Sequence, residues 1–236
     1  MKRLVLLSGG VVLTAALAMR VGVTTSLSLT SQTMTPYRTC IVSGTPASTT
    51  AVADASVRQL TATSNFGTST TNDIASSLAQ NRRLYIRFDY STCSPAIPAS
   101  ATVRLATLRM YVSALPAACR TLDLFRVTAS WTESGVTWNN QPFGTTVNNP
   151  PTANRSGSFD VGTPVGCQNR VAGFTTGAVV TADVAAWIAG SATNYGWMVR
   201  DDVENSATAR TSTFSAKDLG TTAQAPELVI TYVTVP

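Results

Sequence analysis

Apolar and polar residues alternate along much of the central part of the chain. Between residues 82 and 89, Leu84, Ile86 and Phe88 alternate with arginines, a tyrosine and an aspartate. Because successive side chains of a β-strand point to opposite faces, this spacing predicts a strand with one face buried and the other open to solvent. Similar short runs, separated by Gly, Pro, Asn and Ser, predict further strands at 53–60, 102–112, 121–128, 136–138, 158–161, 175–180, 196–200, 210–214 and 228–233.

One segment has the spacing of a helix rather than that of a strand. Val184, Trp187 and Ile188 are separated by three and four residues, which places them on one helical face. Thr181 is suited to cap the first turn, and Gly190 is suited to end the helix. Many short strands and one helix of about two turns predict an all-β fold, a jelly-roll-like antiparallel β-sandwich with one short helix.

The first residues have the pattern of an export signal. Lys2 and Arg3 precede a short apolar stretch that ends in small residues, which is typical of a signal peptide over residues 1–18. An uncleaved N-terminal anchor is the alternative, because residues 21–29 remain mildly apolar. We expect no membrane span in the mature chain, a Ser- and Thr-rich lead-in segment at 19–51 and a sandwich domain at 52–236.

The charge pattern disfavours a nucleic-acid partner. The chain of 236 residues has 17 Lys and Arg against 12 Asp and Glu, a formal net charge of +5, and Lys2 and Arg3 contribute to it. The arginines are scattered singly along the sequence, whereas nucleic-acid binding requires a clustered basic stripe. We therefore expect no nucleic-acid partner for this protein, which the export signal predicts to be secreted, extracellular or at the cell surface.

The cysteines indicate disulfides rather than a metal site. Cys40, Cys93, Cys119 and Cys167 are an even number, no two have Cys-x-x-Cys spacing, and the chain has no histidine. Three pairings are possible. If the predicted strands before and after Cys93 are antiparallel neighbours, Cys93 and Cys119 lie at opposite ends of the sheet, about 35 Å apart. This disfavours Cys93–Cys119 and leaves two pairings, of which we favour Cys40–Cys93 with Cys119–Cys167.

Two short phrases of the sequence echo each other: N-F-G at 65–67 and N-Y-G at 194–196. Asn and Gly around an aromatic residue suit a tight loop in which the glycine adopts a positive φ. The aromatic ring is then expected to cover the end of the core.

Aromatic residues in two places are candidates for ligand contact. Trp138 and Asn139 belong to the phrase W-T-E-S-G-V-T-W-N-N-Q-P at 131–142, in which the ring could stack on a sugar and the amide could bind its hydroxyl groups. Tyr195 and Trp197 flank a glycine, and strand alternation places them on one face as a candidate exposed platform. The alternative in both places is that the rings close the core.

The acidic run Asp201, Asp202 and Glu204 is a candidate for structural calcium, because carboxylate oxygens are the usual calcium ligands. The run lacks the spacing of a dedicated calcium loop, so a solvated hairpin tip is the alternative that we favour. We expect no other cofactor. The chain also lacks histidine and a G-x-S-x-G motif, and we therefore expect no catalytic residues and no enzymatic activity.

Several phrases occur in the same order as in a known family. They include R-L-Y-I-R-F-D at 83–89, W-x-E-x-x-V-T-W-N-N-x-P at 131–142, N-Y-G at 194–196 and P-x-L-x-x-T-Y at 226–232. In this respect residues 52–233 resemble the DNRLRE domain family of bacterial and archaeal secreted and cell-surface proteins, which is grouped with carbohydrate-binding modules. The four cysteines and the long loop at 143–155 depart from the pattern of that family.

The resemblance implies a non-catalytic extracellular module that binds a polysaccharide or a cell-surface glycan. The alternative is a structural subunit of an extracellular fibre or matrix. In that case the segment at 22–50 would add a strand to the sheet edge of a neighbouring copy, so that the protein self-associates into fibres.

Overall fold

The computed structural model describes residues 36–44 and 51–234. The predicted signal peptide at 1–18 and most of the lead-in segment lie outside these residues. The strands are β1 (Arg38–Ser43), β2 (Val52–Arg58), β3 (Thr71–Ser76), β4 (Arg82–Phe88), β5 (Thr102–Arg109), β6 (Tyr111–Ala114), β7 (Arg120–Arg126), β8 (Gly157–Val161), β9 (Gly173–Phe174), β10 (Ala178–Val179), β11 (Trp197–Asp201), β12 (Arg210–Ser215) and β13 (Glu227–Val233). The helix is α1 (Thr181–Ile188), and short 3-10 turns span Gln59–Thr61, Tyr90–Thr92, Thr152–Asn154, Lys217–Leu219 and Thr222–Gln224.

The strands form two sheets, as expected for a sandwich. The small sheet has the order β1-β13-β5-β10, and the large sheet has the order β8-β7-β11-β4-β3-β12-β6-β9, with β2 also paired to β4. All pairs of these strands are antiparallel. No helix within residues 36–44 and 51–234 is long and apolar enough to cross a membrane. The predicted antiparallel β-sandwich with one short helix is confirmed.

The main core joins the inward-facing residues of both sheets. Leu84, Ile86 and Phe88 of β4 are buried in it as the alternation predicts, together with Leu228 and Ile230 of β13. The apolar face of α1 packs against the same core. The capping prediction is wrong, because the Thr181 hydroxyl accepts a hydrogen bond from the Ala106 N–H at 3.0 Å instead of capping its own helix.

A second core covers the outer face of the large sheet. Tyr85, Phe125 and Met198 point away from the main core and pack against Trp131 and Trp138. Both tryptophans lie in the covering segment, residues 127–156 between β7 and β8. The prediction of an open outer face is therefore wrong for β4, where Tyr85 is 0% exposed. The predicted strand at 136–138 is wrong as well, since these residues lie in the turns of the covering segment.

Both disulfides have the pairing that the sequence favours. Cys40 is bonded to Cys93 and Cys119 to Cys167, with Cα atoms 5.8 and 5.5 Å apart. The strand order used to disfavour Cys93–Cys119 is wrong, however, because β4 and β5 lie in different sheets. Cys40 lies on β1, an edge strand that falls within the lead-in segment and that the apolar pattern did not predict.

The predicted strand at 102–112 is two strands. It breaks at Met110, before which β5 belongs to the small sheet and after which β6 belongs to the large sheet. Apolar alternation continues through the break, because both strands direct apolar residues such as Leu108 and Val112 into the same main core. The pattern therefore could not reveal that the chain changes sheets there.

Candidate functional site

A buried arginine organises the outer face of the large sheet. Arg83 Nε donates to Glu204 Oε1 at 2.7 Å, and Arg83 Nη2 donates to Glu204 Oε2 at 2.8 Å. The remaining donors reach the side-chain oxygen of Gln141 and the carbonyls of Gly144 and Thr146, at 2.6–3.2 Å. Both charged side chains are 0% exposed, so this network fixes the covering segment to β4 rather than binding solvent or ligand.

Trp138 is part of this network. Its ring is 3% exposed, and the Arg83 guanidinium carbon lies 4.7 Å from the ring centroid. The Trp138 carbonyl accepts a hydrogen bond from the Gln141 side chain at 2.9 Å. Asn139 is exposed, and its backbone N–H donates to the Ala62 carbonyl at 3.1 Å. Trp138 therefore offers no open face to a sugar, and the core alternative fits it.

The acidic run is an ion-pair network rather than a solvated hairpin tip. Asp201 is 2% exposed, and its Oδ2 accepts a hydrogen bond from Arg120 Nε at 2.9 Å. Asp202 also accepts from Arg120, while Glu204 accepts from Arg83. A cation bound by these carboxylates would have to displace the guanidinium groups.

The candidate platform of two exposed rings, Tyr195 and Trp197, is wrong, because only one of the two rings reaches the surface. Trp197 is 0% exposed, its Nε1 donates to Asp183 Oδ2 at 2.8 Å, and its ring lies 4.6 Å from that of Trp187. Strand β11 begins only at Trp197, after Gly196 with its φ of +74°. This turn breaks the alternation that would have placed Tyr195 beside Trp197, and Tyr195 alone stays half-exposed.

The two Asn-aromatic-Gly phrases share one geometry. Asn65 Nδ2 donates to the carbonyl of Glu133 at 2.7 Å, and Asn65 Oδ1 accepts from the Gly67 N–H at 3.1 Å. Likewise, Asn194 Nδ2 donates to the carbonyl of Phe88 at 2.8 Å, and its Oδ1 accepts from the Gly196 N–H at 3.0 Å. Each asparagine therefore closes its own turn and holds a distant segment of backbone.

The glycines of these phrases permit close backbone approach. A Cβ atom at residue 67 would lie 2.3 Å from the Glu133 carbonyl oxygen, and one at residue 196 would lie 2.1 Å from that of Ile86. The positive φ predicted for both glycines is found at Gly196, whereas Gly67 does not adopt it. At Gly67 close packing alone excludes a side chain.

A groove beside Arg126 is the surface best suited to a ligand. Two depressions of about 320 and 240 Å³ adjoin there and share Arg126 and Thr128. Phe143 lines one depression and Tyr195 lines the other, both half-exposed. The other polar residues of this surface, the Arg126 groove, are Asn154, Ser156, Asp183 and Thr193.

The charged group of the Arg126 groove is paired with an acid on one side and exposed to solvent on the other. Arg126 is 40% exposed, and its Nη1 lies 3.4 Å from Asp183 Oδ1, while the other oxygen of Asp183 accepts from Trp197. The Arg126 guanidinium therefore keeps N–H donors that face solvent. Apart from Tyr195, the sequence prediction missed these residues, because they come from β7, the long loop, α1 and the turn before β11, with no shared spacing.

Two other depressions are less suited to binding. One of about 330 Å³ lies over Trp131, whose ring is only 7% exposed and whose Nε1 donates to the Tyr195 carbonyl at 2.7 Å. The other, of about 340 Å³, includes Arg87, Tyr90 and Asn194. In the second depression, the hydroxyl of Tyr90 and the amide of Asn194 already donate to backbone carbonyls.

Comparison with known proteins identifies the family. No curated protein matches the chain. The model of carbohydrate-binding module family 96 matches residues 45–173, more than half of the chain, and includes the phrases at 83–89 and 131–142. This agrees with the carbohydrate-binding grouping that those phrases imply, while membership of the DNRLRE family stays a prediction. The chain belongs to carbohydrate-binding module family 96.

Proposed function

We propose that this protein is a non-catalytic extracellular module that binds a polysaccharide through the Arg126 groove. Membership of a carbohydrate-binding family is the observation that carries the proposal. The groove is assigned on its geometry, because it joins two depressions and has a half-exposed ring in each.

The chemistry of the groove fits a sugar chain. Sugar rings have apolar C–H faces that pack on aromatic rings, as Phe143 and Tyr195 would allow, and hydroxyl groups that exchange hydrogen bonds with polar side chains. Arg126 supplies open donors between the two rings, and Asn154 and Thr193 are exposed on either side. Because the depressions are shallow and few groups contact the ligand, we expect a Kd of about 10 μM to 1 mM.

Two parts of the proposal, that the module is non-catalytic and that it is extracellular, are supported by the residue types of the chain and by its disulfides. The chain has no histidine, and its four cysteines are paired in disulfides. Among the described residues, Asp183 is the one carboxylate that lines the groove, and it already binds Trp197 and Arg126. Disulfides persist in oxidising compartments, which together with the predicted signal peptide supports an extracellular location.

Retention on immobilised polysaccharides tests the proposal. Tyr195→Ala and Arg126→Gln should each lower retention on the bound polysaccharide about tenfold, because each removes one of a few contacts. The Ala variant keeps the Tyr195 carbonyl that Trp131 binds but loses the packing of the ring on the second core, so its folding is checked by circular dichroism. Arg104→Gln, at an exposed position of β5 in the small sheet, is the matched charge control. Unchanged retention in a folded double variant would reject the groove, and retention on no polysaccharide would reject the function.

A structural role in a fibre or matrix is the second candidate. One observation favours it: β1 is an end strand of the small sheet in the described part of the chain, and there it pairs with β13 alone. An end strand of this kind can accept a strand from another copy. Sedimentation and negative-stain microscopy of the purified protein test this role, since filaments without polysaccharide retention would favour it over sugar binding.

A further inference from the structure

Three carboxylates from distant parts of the sequence meet outside the groove. Asp54 lies on β2, Glu133 in the segment after β7, and Asp218 in the 3-10 turn at Lys217–Leu219. One oxygen from each carboxylate lies within 4.8 Å of the other two. Asp54 is 1% exposed, while the side chains of Glu133 and Asp218 are 24% and 26% exposed. The cluster therefore has a buried base and opens towards solvent.

The buried member of the cluster has an unpartnered oxygen. Asp54 Oδ2 accepts hydrogen bonds from Asn72 Nδ2 at 2.9 Å and from the Lys217 N–H at 3.0 Å. Asp54 Oδ1 is fully buried and has no hydrogen-bond partner among residues 36–44 and 51–234. A buried oxygen of this kind costs free energy unless it is hydrogen-bonded or coordinates a metal. Burial correspondingly raises the pKa of Asp54 to about 7.

One ammonium group faces the three acids. Lys217 Nζ lies 3.2 Å from Glu133 Oε1 and 2.9 Å from Asp218 Oδ2. Within the described ranges, no Lys or Arg nitrogen lies within 4.0 Å of the Asp54 carboxylate. When all three acids are ionised, a single positive charge leaves the cluster with an excess of negative charge that a divalent cation would neutralise.

We propose that Asp54, Glu133 and Asp218 form a binding site for a calcium ion. Calcium takes oxygen ligands at about 2.3–2.6 Å, so two ligands on opposite sides of the ion are about 4.6–5.2 Å apart. The observed spacing of the carboxylate oxygens fits within this limit. All ligands are hard oxygens with no imidazole or thiolate, a set that suits calcium rather than zinc. Water molecules complete the coordination on the exposed side, and the flexible Lys217 side chain turns away from the ion.

The ion would join three parts of the fold. It would link β2 of the large sheet, the start of the covering segment and the 3-10 turn at Lys217–Leu219. Glu133 is already held at this point by the Asp54 N–H, which donates to its Oε1 at 2.8 Å, and by Asn65. Calcium would therefore stabilise the attachment of the second core, separately from any sugar contact at the Arg126 groove.

Calorimetry and thermal unfolding of the full chain test the site after treatment with a chelator. Adding Ca²⁺ should give a saturable heat, and at about a hundredfold excess over Kd it should raise Tm by roughly 5–10 °C. Asp218→Asn should weaken binding about tenfold or more, because it removes one charged ligand from the exposed side without disturbing the buried base. Asp89→Asn is the matched control, since Asp89 is exposed and only caps a 3-10 turn. Its calcium affinity should equal that of the wild type.

The Lys217→Met variant distinguishes a calcium site from a cluster whose negative charge is balanced by Lys217 alone. If calcium binds, removing the competing ammonium should tighten binding roughly fivefold, and Ca²⁺ should restore the stability of the variant. If Lys217 is the only cation of the cluster, the variant should be destabilised and Ca²⁺ should not rescue it. No heat and no Tm shift for the wild type at about 10 mM Ca²⁺, above the Kd of extracellular calcium modules, would overturn the proposal. Equal binding by Asp218→Asn and the wild type would also overturn it.

Discussion

The buried Arg83–Glu204 pair predicts a large and specific loss of stability. Every N–H donor of the Arg83 guanidinium has an acceptor, and Glu204 Oε2 accepts a further hydrogen bond from the Asn148 N–H at 2.6 Å. Arg83→Met would leave the Glu204 charge buried and unpaired. Breaking a buried pair in this way costs about 3–5 kcal/mol. For a domain of this size the corresponding fall in Tm is roughly 6–20 °C.

A partly exposed pair provides the control for this prediction. Arg109 Nη1 lies 3.2 Å from Glu227 Oε2, and the Arg109 side chain is 38% exposed. Because solvent screens such pairs, Arg109→Met should cost at most about 1 kcal/mol. Urea unfolding monitored by tryptophan fluorescence measures both losses.

The double variant Arg83→Met/Glu204→Leu tests the cause of the loss. It removes the unpaired charge, so it should be more stable than Arg83→Met alone, although the carbonyls of Gly144 and Thr146 still lose their donor. Two results would refute the reasoning: equal losses for Arg83→Met and Arg109→Met, or a double variant less stable than the single one.

Three further predictions follow from buried groups. Trp197→Ala should cost about 3–5 kcal/mol in chemical unfolding, because it removes a fully buried ring; a cost below about 1 kcal/mol would contradict its burial. Gly196→Ala should destabilise more than Gly190→Ala, since both have a positive φ but only Gly196 has a carbonyl oxygen 2.1 Å from the added Cβ; equal losses would contradict the close contact. In the presence of a chelator, Asp54 is protonated in the folded state between about pH 4 and 7, whereas in the unfolded chain it is ionised over this range. Its contribution to the free energy of unfolding should therefore fall as pH rises through this window, by on the order of 4 kcal/mol. Asp54→Asn should lack that fall, and an unchanged pH profile of unfolding would contradict the raised pKa.

The alternation of apolar and polar residues predicted those strands that have a regular row of apolar side chains on at least one face. It placed β4, β7, β11 and β13 within two residues of their bounds, because each sends regular apolar side chains into the main core. It missed β3, whose sequence T-N-D-I-A-S contains a single large apolar residue and several polar groups that are buried by hydrogen bonding.

The covering of the outer face could not be predicted from local spacing. Arg83, Tyr85 and Arg87 have the pattern of a solvent face, and their burial depends on a segment that begins about forty residues later. The nearest signal is the density of Trp, Asn and Gln in that segment, which can bury rings and satisfy polar groups at once.

The candidate sites were even less accessible to sequence reasoning. Asp54, Glu133 and Asp218 are far apart in the chain, so no spacing rule connects them. The acidic run at 201–204 was a calcium candidate because its members are neighbours in sequence, yet its carboxylates face arginines from other strands. Sequence proximity indicated charge here, whereas the fold determines which charges remain free.

The Asn-aromatic-Gly phrases have a consequence for how this module can diversify. Both asparagines hold carbonyl oxygens of the partner segment, and every amino acid supplies the same carbonyl. The attachment therefore imposes no requirement on which side chains the partner segment presents. Substitutions at the rim of the Arg126 groove, where we propose that a glycan binds, are therefore compatible with anchoring by Asn65, Gly67, Asn194 and Gly196. If the proposed site is right, glycan preference and loop anchoring can change independently of each other.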